Sequence, residues 1–383
     1  MHRVVLAAAI LGLGGCSSSS PPRPAVSAEA LLSGETLFAA PLPPPPATAE
    51  EVFGIDAEMR EFVRSEIDPG WSTEAKLRRL LGAMQARGLF DLRYTSAVTH
   101  TASETFHRRE GNCLSFTILF VALAREAGLR ARYQMVDIPP SWSSAEDVLL
   151  VSNHINVLVR GGAGDEWVID FNELEFRGNY ERRVVDDDYA LALFYTNRGA
   201  EALIAGNHQA SLAALRAAIE AYPKIAGHWS NVGLIYARNE RPAEAEAAYR
   251  HALAVEPTNR SVLTNLTSLY AKSGNDALAE EYRRRIRNYQ LRNPYYHFAR
   301  ARQAYGEERF EDALDSLQTA LRLKRDEHQF YFLEALVWHR LGRRAAAERS
   351  LALAREHAEY PDIKARYAGP LETLANASSE GTL

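Results

Sequence analysis

Apolar and polar residues follow different periods along the first half of the chain, and each period predicts a different element. Residues 113–127 are apolar on nearly every face of a helix, which predicts a helix buried inside a domain. Gly128 follows, and glycine commonly ends helices. Residues 130–136 then alternate between apolar and polar, which predicts a half-buried strand. Residues 153–160 and 166–171 are predicted as two further strands.

The last two strands are predicted to form a hairpin, because a glycine-rich turn separates them. If the hairpin centres on Ala163, Asn156 faces Asp170 and His154 lies one diagonal step away on the same face. If the register shifts by two residues, His154 faces Asp170 directly. Both registers bring His154 and Asp170 together, whereas a slip of one residue would put them on opposite faces.

The chain upstream of the buried helix is predicted to be helical after a non-globular start. Residues 49–65 and 73–86 read as helices, the second with a cap at Thr73 and a stop at Gly88. Residues 17–48 are rich in Ser and Pro, which predicts a tether and then an extended arm along the first domain.

The sequence from about residue 190 is rich in Ala, Leu, Arg and Glu and repeats with a period of 34 residues. The aligned units begin at Ala192, Ala226, Arg260, Pro294 and His328. One aligned column holds mostly small residues, namely Gly199, Gly233, Thr267, Ala301 and Ala335. Paired helices with this period are typical of tetratricopeptide repeats, so five repeats are predicted, with a generic helical bundle as the alternative.

The amino-terminal segment has the organisation of an export signal. A charged start is followed by the apolar residues 4–13 and then by Gly14, Gly15 and Cys16. This order resembles the lipobox of bacterial lipoproteins, in which the cysteine is acylated after cleavage. The resemblance implies a membrane anchor on Cys16, and Ser17 favours the outer membrane; a secreted protein with an incidental cysteine is the alternative.

Composition and charge narrow the function classes. The 383 residues suffice for two or three domains, and 46% are hydrophobic. A net charge of −5 argues against nucleic-acid binding, and residues 283–287, which are mostly Arg, read as a solvated helix face. No glycine-rich phosphate loop or CxxC pair is present, and His100 and His107 lack metal-ligand spacing. We therefore predict no cofactor and no metal, and interpret residues 186–188, three aspartates, as a linker.

Cys113 is the candidate nucleophile. The chain has two cysteines, and lipid on Cys16 would leave Cys113 without a disulfide partner in an exported protein. Cys113 begins the buried helix, where the helix dipole favours a thiolate. His154 could act as its base and Asp170 could orient the imidazole. Each residue also has a purely structural interpretation, which is the more common one for each of them alone.

Residues 65–183 resemble the transglutaminase-like superfamily of papain-type cysteine enzymes. The resemblance rests on three segments that follow one another along the chain: Gly111-Asn112-Cys113, Asn153-His154 and Trp167-Val168-Ile169-Asp170. The resemblance implies an α+β domain with a catalytic triad of Cys113, His154 and Asp170. A second donor for an oxyanion is expected within residues 94–101. The residues after His154 and after Asp170 depart from the pattern of many members.

These observations predict an α+β papain-like, transglutaminase-like domain followed by an all-α tetratricopeptide-repeat solenoid. The predicted segments are 1–16 as signal peptide, 17–48 as tether and arm, 49–188 as cysteine domain, 190–361 as repeats and 362–383 as a cap and polar tail.

The predicted function is acyl transfer through a thioester at Cys113, by a peptidase, amidase or transglutaminase-like enzyme facing the periplasm. The repeats are expected to bind a peptide or protein in their groove. The alternative is a non-catalytic scaffold that assembles a complex in the cell envelope.

Overall fold

A computed structural model of the chain describes residues 26–89, 93–95, 98–137, 154–162, 164–171, 181–358, 364 and 367–368. The predicted signal peptide, Cys16 and most of the predicted carboxyl-terminal segment 362–383 lie outside these residues. Among the described helices, none is long and apolar enough to cross a membrane.

The first part of the chain combines helices with two small sheets. Its helices are α1 (Ala28–Ser33), α2 (Ala49–Phe53), α3 (Ala57–Glu66), α4 (Thr73–Ala86), α5 (Ala102–Arg108) and α6 (Cys113–Glu126). Its strands are β1 (Arg93–Tyr94), β2 (Glu110–Gly111), β3 (Arg130–Asp137), β4 (His154–Arg160), β5 (Glu166–Ile169) and β6 (Glu181–Val185). Strands β1 and β2 pair in parallel, and the other four form an antiparallel sheet in the order β5-β4-β3-β6.

Helix α6 is the centre of this part of the fold. Its side chains are apolar nearly all round, and most of them are buried between the sheet and helices α2, α3 and α5. Gly128 takes a left-handed backbone conformation with φ +75° just after the helix, which suits a residue without a side chain. The predicted buried helix and the strand after it are both present in the structure.

The predicted single helix over residues 49–65 is wrong, because the chain forms the two helices α2 and α3 there. Gly54 follows α2 in an extended conformation. The carboxylate of Asp56 then accepts the N–H of Met59 at 3.0 Å and begins α3. A local N-cap therefore outcompetes helix continuation, because aspartate satisfies a free N–H group better at a helix start than inside a helix.

From residue 187 to residue 357, the described chain forms a row of five helical hairpins. The helices are α7 (Asp187–Ile204), α8 (His208–Ala221), α9 (Ala226–Arg238), α10 (Pro242–Val255), α11 (Arg260–Lys272), α12 (Asp276–Arg292), α13 (Pro294–Gly306), α14 (Phe310–Leu323), α15 (His328–Arg340) and α16 (Arg344–His357). Helices α9, α11, α13 and α15 begin at the residues where the 34-residue alignment starts its units. The predicted fold class, an α+β domain followed by a helical-repeat solenoid, is confirmed.

Helix α7 joins the two parts of the molecule. It begins at Asp187, five residues ahead of the aligned Ala192. Asp186 is its N-cap, and Arg125 of α6 makes a two-pronged ion pair with Asp187 at 2.7 and 2.8 Å. The interpretation of these aspartates as a linker is therefore wrong. Buried residues of α7, including Phe194, lie in the same core as those of α6.

The arm after the predicted tether packs on the repeats and not, as predicted, along the first domain. Leu31 of α1 is fully buried among the residues of the first repeats. The hydroxyl of Tyr236 donates to the Leu31 carbonyl at 2.7 Å, and Gln209 donates to the carbonyls of Ala40 and Pro41. Helix α1 of the arm contacts both α8 and α10, which belong to two neighbouring hairpins. No local sequence pattern reveals this contact between distant segments.

The contact between α9 and α10 gives the first testable prediction. A Cβ atom at Gly233 would lie 2.4 Å from Cε1 of the buried Tyr249 ring, so Gly233→Ala forces the ring to move. Overpacking costs about 1–3 kcal/mol, which exceeds the roughly 1 kcal/mol that alanine gains over glycine in a helix. We expect Gly233→Ala to lower the free energy of unfolding in urea.

Gly227→Ala in the same helix is the matched control. A Cβ there meets only Ile225, at 3.8 Å, so this variant should be neutral or slightly more stable. Equal effects of the two substitutions would contradict the close packing of α9 on α10.

Candidate functional site

Cys113 is the first residue of helix α6 and is partly buried. Asn112 is the N-cap, and its Oδ1 accepts the N–H of Ser115 at 3.0 Å. Gly111 comes before it, where a Cβ atom would lie 2.6 Å from Cβ of Ser115. The order glycine, asparagine, cysteine therefore has a local reason: the first residue leaves room, the second begins the helix, and the third carries the thiol.

The pairing of β4 with β5 decides between the two predicted registers. Val157 lies opposite Ile169, and Leu158 lies opposite Val168. The next pair along this register is Asn156 with Asp170, so the first of the two predicted registers is the correct one. His154 then lies one diagonal step from Asp170 on the same face of the sheet, because side chains alternate along a strand.

The side chains of His154 and Asp170 are in direct contact. Nε2 of His154 lies 2.6 Å from Oδ2 of Asp170, and the two side chains are 2% and 16% exposed. Asn156 donates from Nδ2 to the same carboxylate oxygen at 3.1 Å. The sequence placed Asn156 opposite Asp170 but assigned it no role. Its amide helps to hold the carboxylate in the orientation that faces the imidazole.

The electrostatic surroundings favour a protonated His154. Burial disfavours the charged ring, but hydrogen bonds and electrostatic attraction from Asp170 and Cys113 raise the pKa of His154 from 6.5 to about 9. Because Nε2 faces Asp170, Nδ1 is the ring nitrogen left for the sulfur of Cys113. The structure thus brings together all three residues of the predicted triad.

Phe171, which follows β5, packs against helix α6, the helix that carries the thiol. Its ring lies 5.9 Å, centroid to centroid, from both Phe116 and Phe120 of α6. These distances are typical of favourable aromatic pairs. Phe171 stands where the sequence departs from the pattern of many transglutaminase-like proteins. Its packing contact helps to place the carboxylate of Asp170 near the start of α6.

The expected oxyanion donor within residues 94–101 stays a prediction, because residues 96 and 97 lie outside the described residues and four backbone N–H groups of the segment donate elsewhere. Thr95 donates to the Gly111 carbonyl, Thr99 to Glu201, His100 to Ser115 Oγ and Thr101 to Glu104. The first N–H groups of a helix have no partner within it, so the start of α6 is a further source of donors.

The other histidines singled out in the sequence belong to separate contacts. Nε2 of His107 lies 2.8 Å from Oδ2 of Asp56, and the ring of His100 lies 3.6 Å from both Glu104 and Glu110. In the described part of the chain, no group of three or more His, Cys, Asp or Glu side chains could hold a metal ion.

Models of known protein families match segments in both parts of the chain. The family model described as the transglutaminase-like superfamily matches residues 61–169. A model described as a tetratricopeptide repeat matches residues 196–260 and 298–362. No curated protein matches the chain significantly.

Three solved structures that resemble the chain each cover less than half of it. YrrB, described as a TPR protein with an unusual peptide-binding site, is 17% identical over 46% of this chain and 92% of its own, with a TM-score of 0.24. Pseudomonas aeruginosa pilF is 18% identical over 49% and 94%, with a TM-score of 0.26. MamA from Desulfovibrio magneticus RS-1 is 15% identical over 43% and 94%, with a TM-score of 0.25.

The raised pKa of His154 predicts how stability depends on pH. Because the folded pKa, about 9, lies above the ordinary 6.5, protonated His154 stabilises the fold fully below pH 6.5 and loses this effect as the pH rises through 9. We expect an NMR titration of the His154 ring to give a pKa near 9. The free energy of unfolding should fall between pH 6.5 and 9 by about 1.4 kcal/mol for each unit of the shift.

Asp170→Asn is the matched variant, because it keeps the volume and removes the charge. It should lower the pKa of His154 and flatten this part of the stability profile. A His154 pKa at or below 6.5 in the unsubstituted protein would contradict the arrangement described above.

Proposed function

We propose that this protein, in which a transglutaminase-like core domain is followed by tetratricopeptide repeats, is a cysteine acyl-transfer enzyme of the cell envelope. It would cleave or exchange amide bonds in a peptide or protein that the repeats bind. The observation that carries the proposal is the position of His154, which interacts with Asp170 on one side and with Cys113 on the other. A histidine with a purely structural role does not need a carboxylate on one side of its ring and a thiol on the other.

The arrangement supports a two-step reaction. His154 already holds the proton that Cys113 gives up, so the sulfur of Cys113 attacks the carbonyl carbon of an amide directly and forms a C–S bond. The tetrahedral intermediate expels the amine, which takes the proton from His154, and a thioester remains on Cys113. Asp170 keeps the imidazole oriented through this proton transfer.

The second step consumes the thioester. A water molecule loses a proton to His154 and attacks the thioester carbonyl, after which the C–S bond breaks, a carboxylic acid is released and the proton stays on His154. An amine in place of water would give a new amide, which is transamidation. We favour hydrolysis, because water is the acceptor that is always present.

The repeats offer a surface for the partner. A cavity of about 370 Å³ lies between α13 and α15. It is lined mainly by apolar and aromatic side chains, with Arg302, His328 and Gln329 as polar residues: Phe298, Arg302, His328, Gln329, Phe332, Leu333, Leu336 and Tyr367. Pockets of this composition hold apolar side chains and orient them with a few polar contacts. We propose that a peptide segment of the substrate or of a partner protein binds there.

The reactivity of Cys113 tests the enzymatic proposal. Iodoacetamide alkylation of the full-length protein, followed on the Cys113 peptide by mass spectrometry, should be at least about tenfold faster in the unsubstituted protein than in His154→Ala, because the imidazole draws the thiol proton. Asp170→Asn should give an intermediate rate. His107→Ala, which removes a histidine outside the triad, is the control and should leave the rate unchanged.

Equal alkylation rates in the unsubstituted protein and in His154→Ala would favour the alternative, a non-catalytic scaffold. Cys113→Ala should then leave cellular function intact. If the proposal holds, the Cys113→Ala variant should fold but lose its cellular function. Its substrate should stay bound to it and be recovered with it in a pull-down.

Envelope anchoring is proposed from the sequence around Cys16. Several acyl chains on one cysteine give stable membrane attachment, whereas a single chain does not. We expect the protein to incorporate labelled palmitate in a Gram-negative bacterium and to fractionate with the outer membrane. Cys16→Ser should lose the label and the membrane association, and Cys113→Ser should keep both. Labelling of the Cys16→Ser form would contradict the anchor.

A further inference from the structure

Helix α7 of the first repeat reaches the segment that supports the start of α6. Oε1 of Glu201 accepts the backbone N–H of Thr99 at 2.6 Å, although the two residues are 102 positions apart. Thr99 is fully buried, and the side chain of Glu201 is 19% exposed. A hydrogen bond from an N–H group to a carboxylate is roughly twice as strong as a neutral one. This bond therefore joins the repeat domain to the cysteine domain.

The contact continues from Thr99 to the cap of the helix that carries the thiol. Nδ2 of Asn112 donates to Oγ1 of Thr99 at 2.7 Å, while Oδ1 of Asn112 accepts the N–H of Ser115 at 3.0 Å. The N–H of His100 donates to Oγ of Ser115 at 2.9 Å. Both ends of the Asn112 amide are thus engaged, and Cys113 is the next residue in the chain.

The carboxylate of Glu201 is itself held in place. Nη1 of Arg198, three residues earlier on α7, lies 3.1 Å from Oε2. Burial raises the pKa of Glu201, while hydrogen bonds from Thr99 and the charge of Arg198 oppose that rise. Each carboxylate oxygen has its own partner, so the side chain has one favoured orientation, and that orientation points at Thr99.

We infer that Glu201 is a positioning residue for Cys113, acting through Thr99 and the Asn112 cap. Given the proposed function, the catalytic unit then extends past the predicted domain boundary into the first tetratricopeptide repeat. The physical reason is that His154 is fixed by the sheet, whereas Cys113 is fixed by the start of α6. A shift of Thr99 lets Asn112 turn and changes the distance between sulfur and imidazole, to which such reactions are very sensitive.

The test compares iodoacetamide alkylation rates of Cys113 in full-length variants at pH 7. Glu201→Ala should slow alkylation by at least about fivefold, and Glu201→Gln, whose amide oxygen still accepts from Thr99, should restore most of the rate. Glu220→Ala is the matched control, because exposed Glu220 lies on α8 of the same repeat and pairs at 3.8 Å with Arg216. It should alkylate at the rate of the unsubstituted protein.

Thr99→Val provides a second, independent variant. It keeps the size of the side chain and removes the hydroxyl that accepts from Asn112, so it should slow alkylation as Glu201→Ala does. A merely structural role predicts the opposite direction, because loosening the fold exposes a partly buried thiol and speeds its alkylation. In a His154→Ala background, Glu201→Ala should have no further effect, since both act on the same sulfur–imidazole contact.

Two failures are distinguishable. If His154→Ala alkylates as fast as the unsubstituted protein, the proposed function is wrong. If His154→Ala is slow while Glu201→Ala and Thr99→Val both keep the full rate, the enzyme stands and the positioning role of Glu201 is overturned.

Discussion

The contact between His154 and Asp170 depends on the pairing register of one β-hairpin. Side chains alternate between the faces of a sheet, so a slip of one residue would send the carboxylate away from the imidazole. The observed register puts the two groups 2.6 Å apart and adds the amide of Asn156 to the same oxygen. A partly buried carboxylate with two such partners keeps the ring in one orientation, and every functional statement about Cys113 depends on that orientation.

Helix α6 connects this sheet to the rest of the molecule. Its apolar surface packs on the sheet and on the surrounding helices, so its amino-terminal end has little freedom to move. The ring of Phe171, at the edge of the sheet, packs against α6, and Asn112 caps its first turn by accepting the N–H of Ser115. Helix α7 shares its core and pairs with it through Arg125 and Asp187. The first repeat therefore shares one hydrophobic core with the part of the chain that carries the thiol.

Local patterns in the sequence predicted the elements that carry the site. The apolar run of α6, the alternation in β3 and the 34-residue period were sufficient for those elements, because each reflects a regular burial pattern. The break at Gly54 was missed, since a single glycine inside a helical pattern is ambiguous. Strand β6 was also missed. The packing of Leu31 on the repeats and the contact between Glu201 and Thr99 join residues far apart in sequence, so no local periodicity encodes them.

The most direct measurement of the central claim is the detection of an acyl group on Cys113 during turnover. p-Nitrophenyl acetate supplies an activated acyl group without requiring the natural substrate. The account predicts a burst of p-nitrophenolate, one acetyl group on the Cys113 peptide after an acid quench, and then its hydrolysis with continued turnover. A peptide that stays unmodified, or one that is acetylated and never released, would contradict a thiol activated by His154 and Asp170.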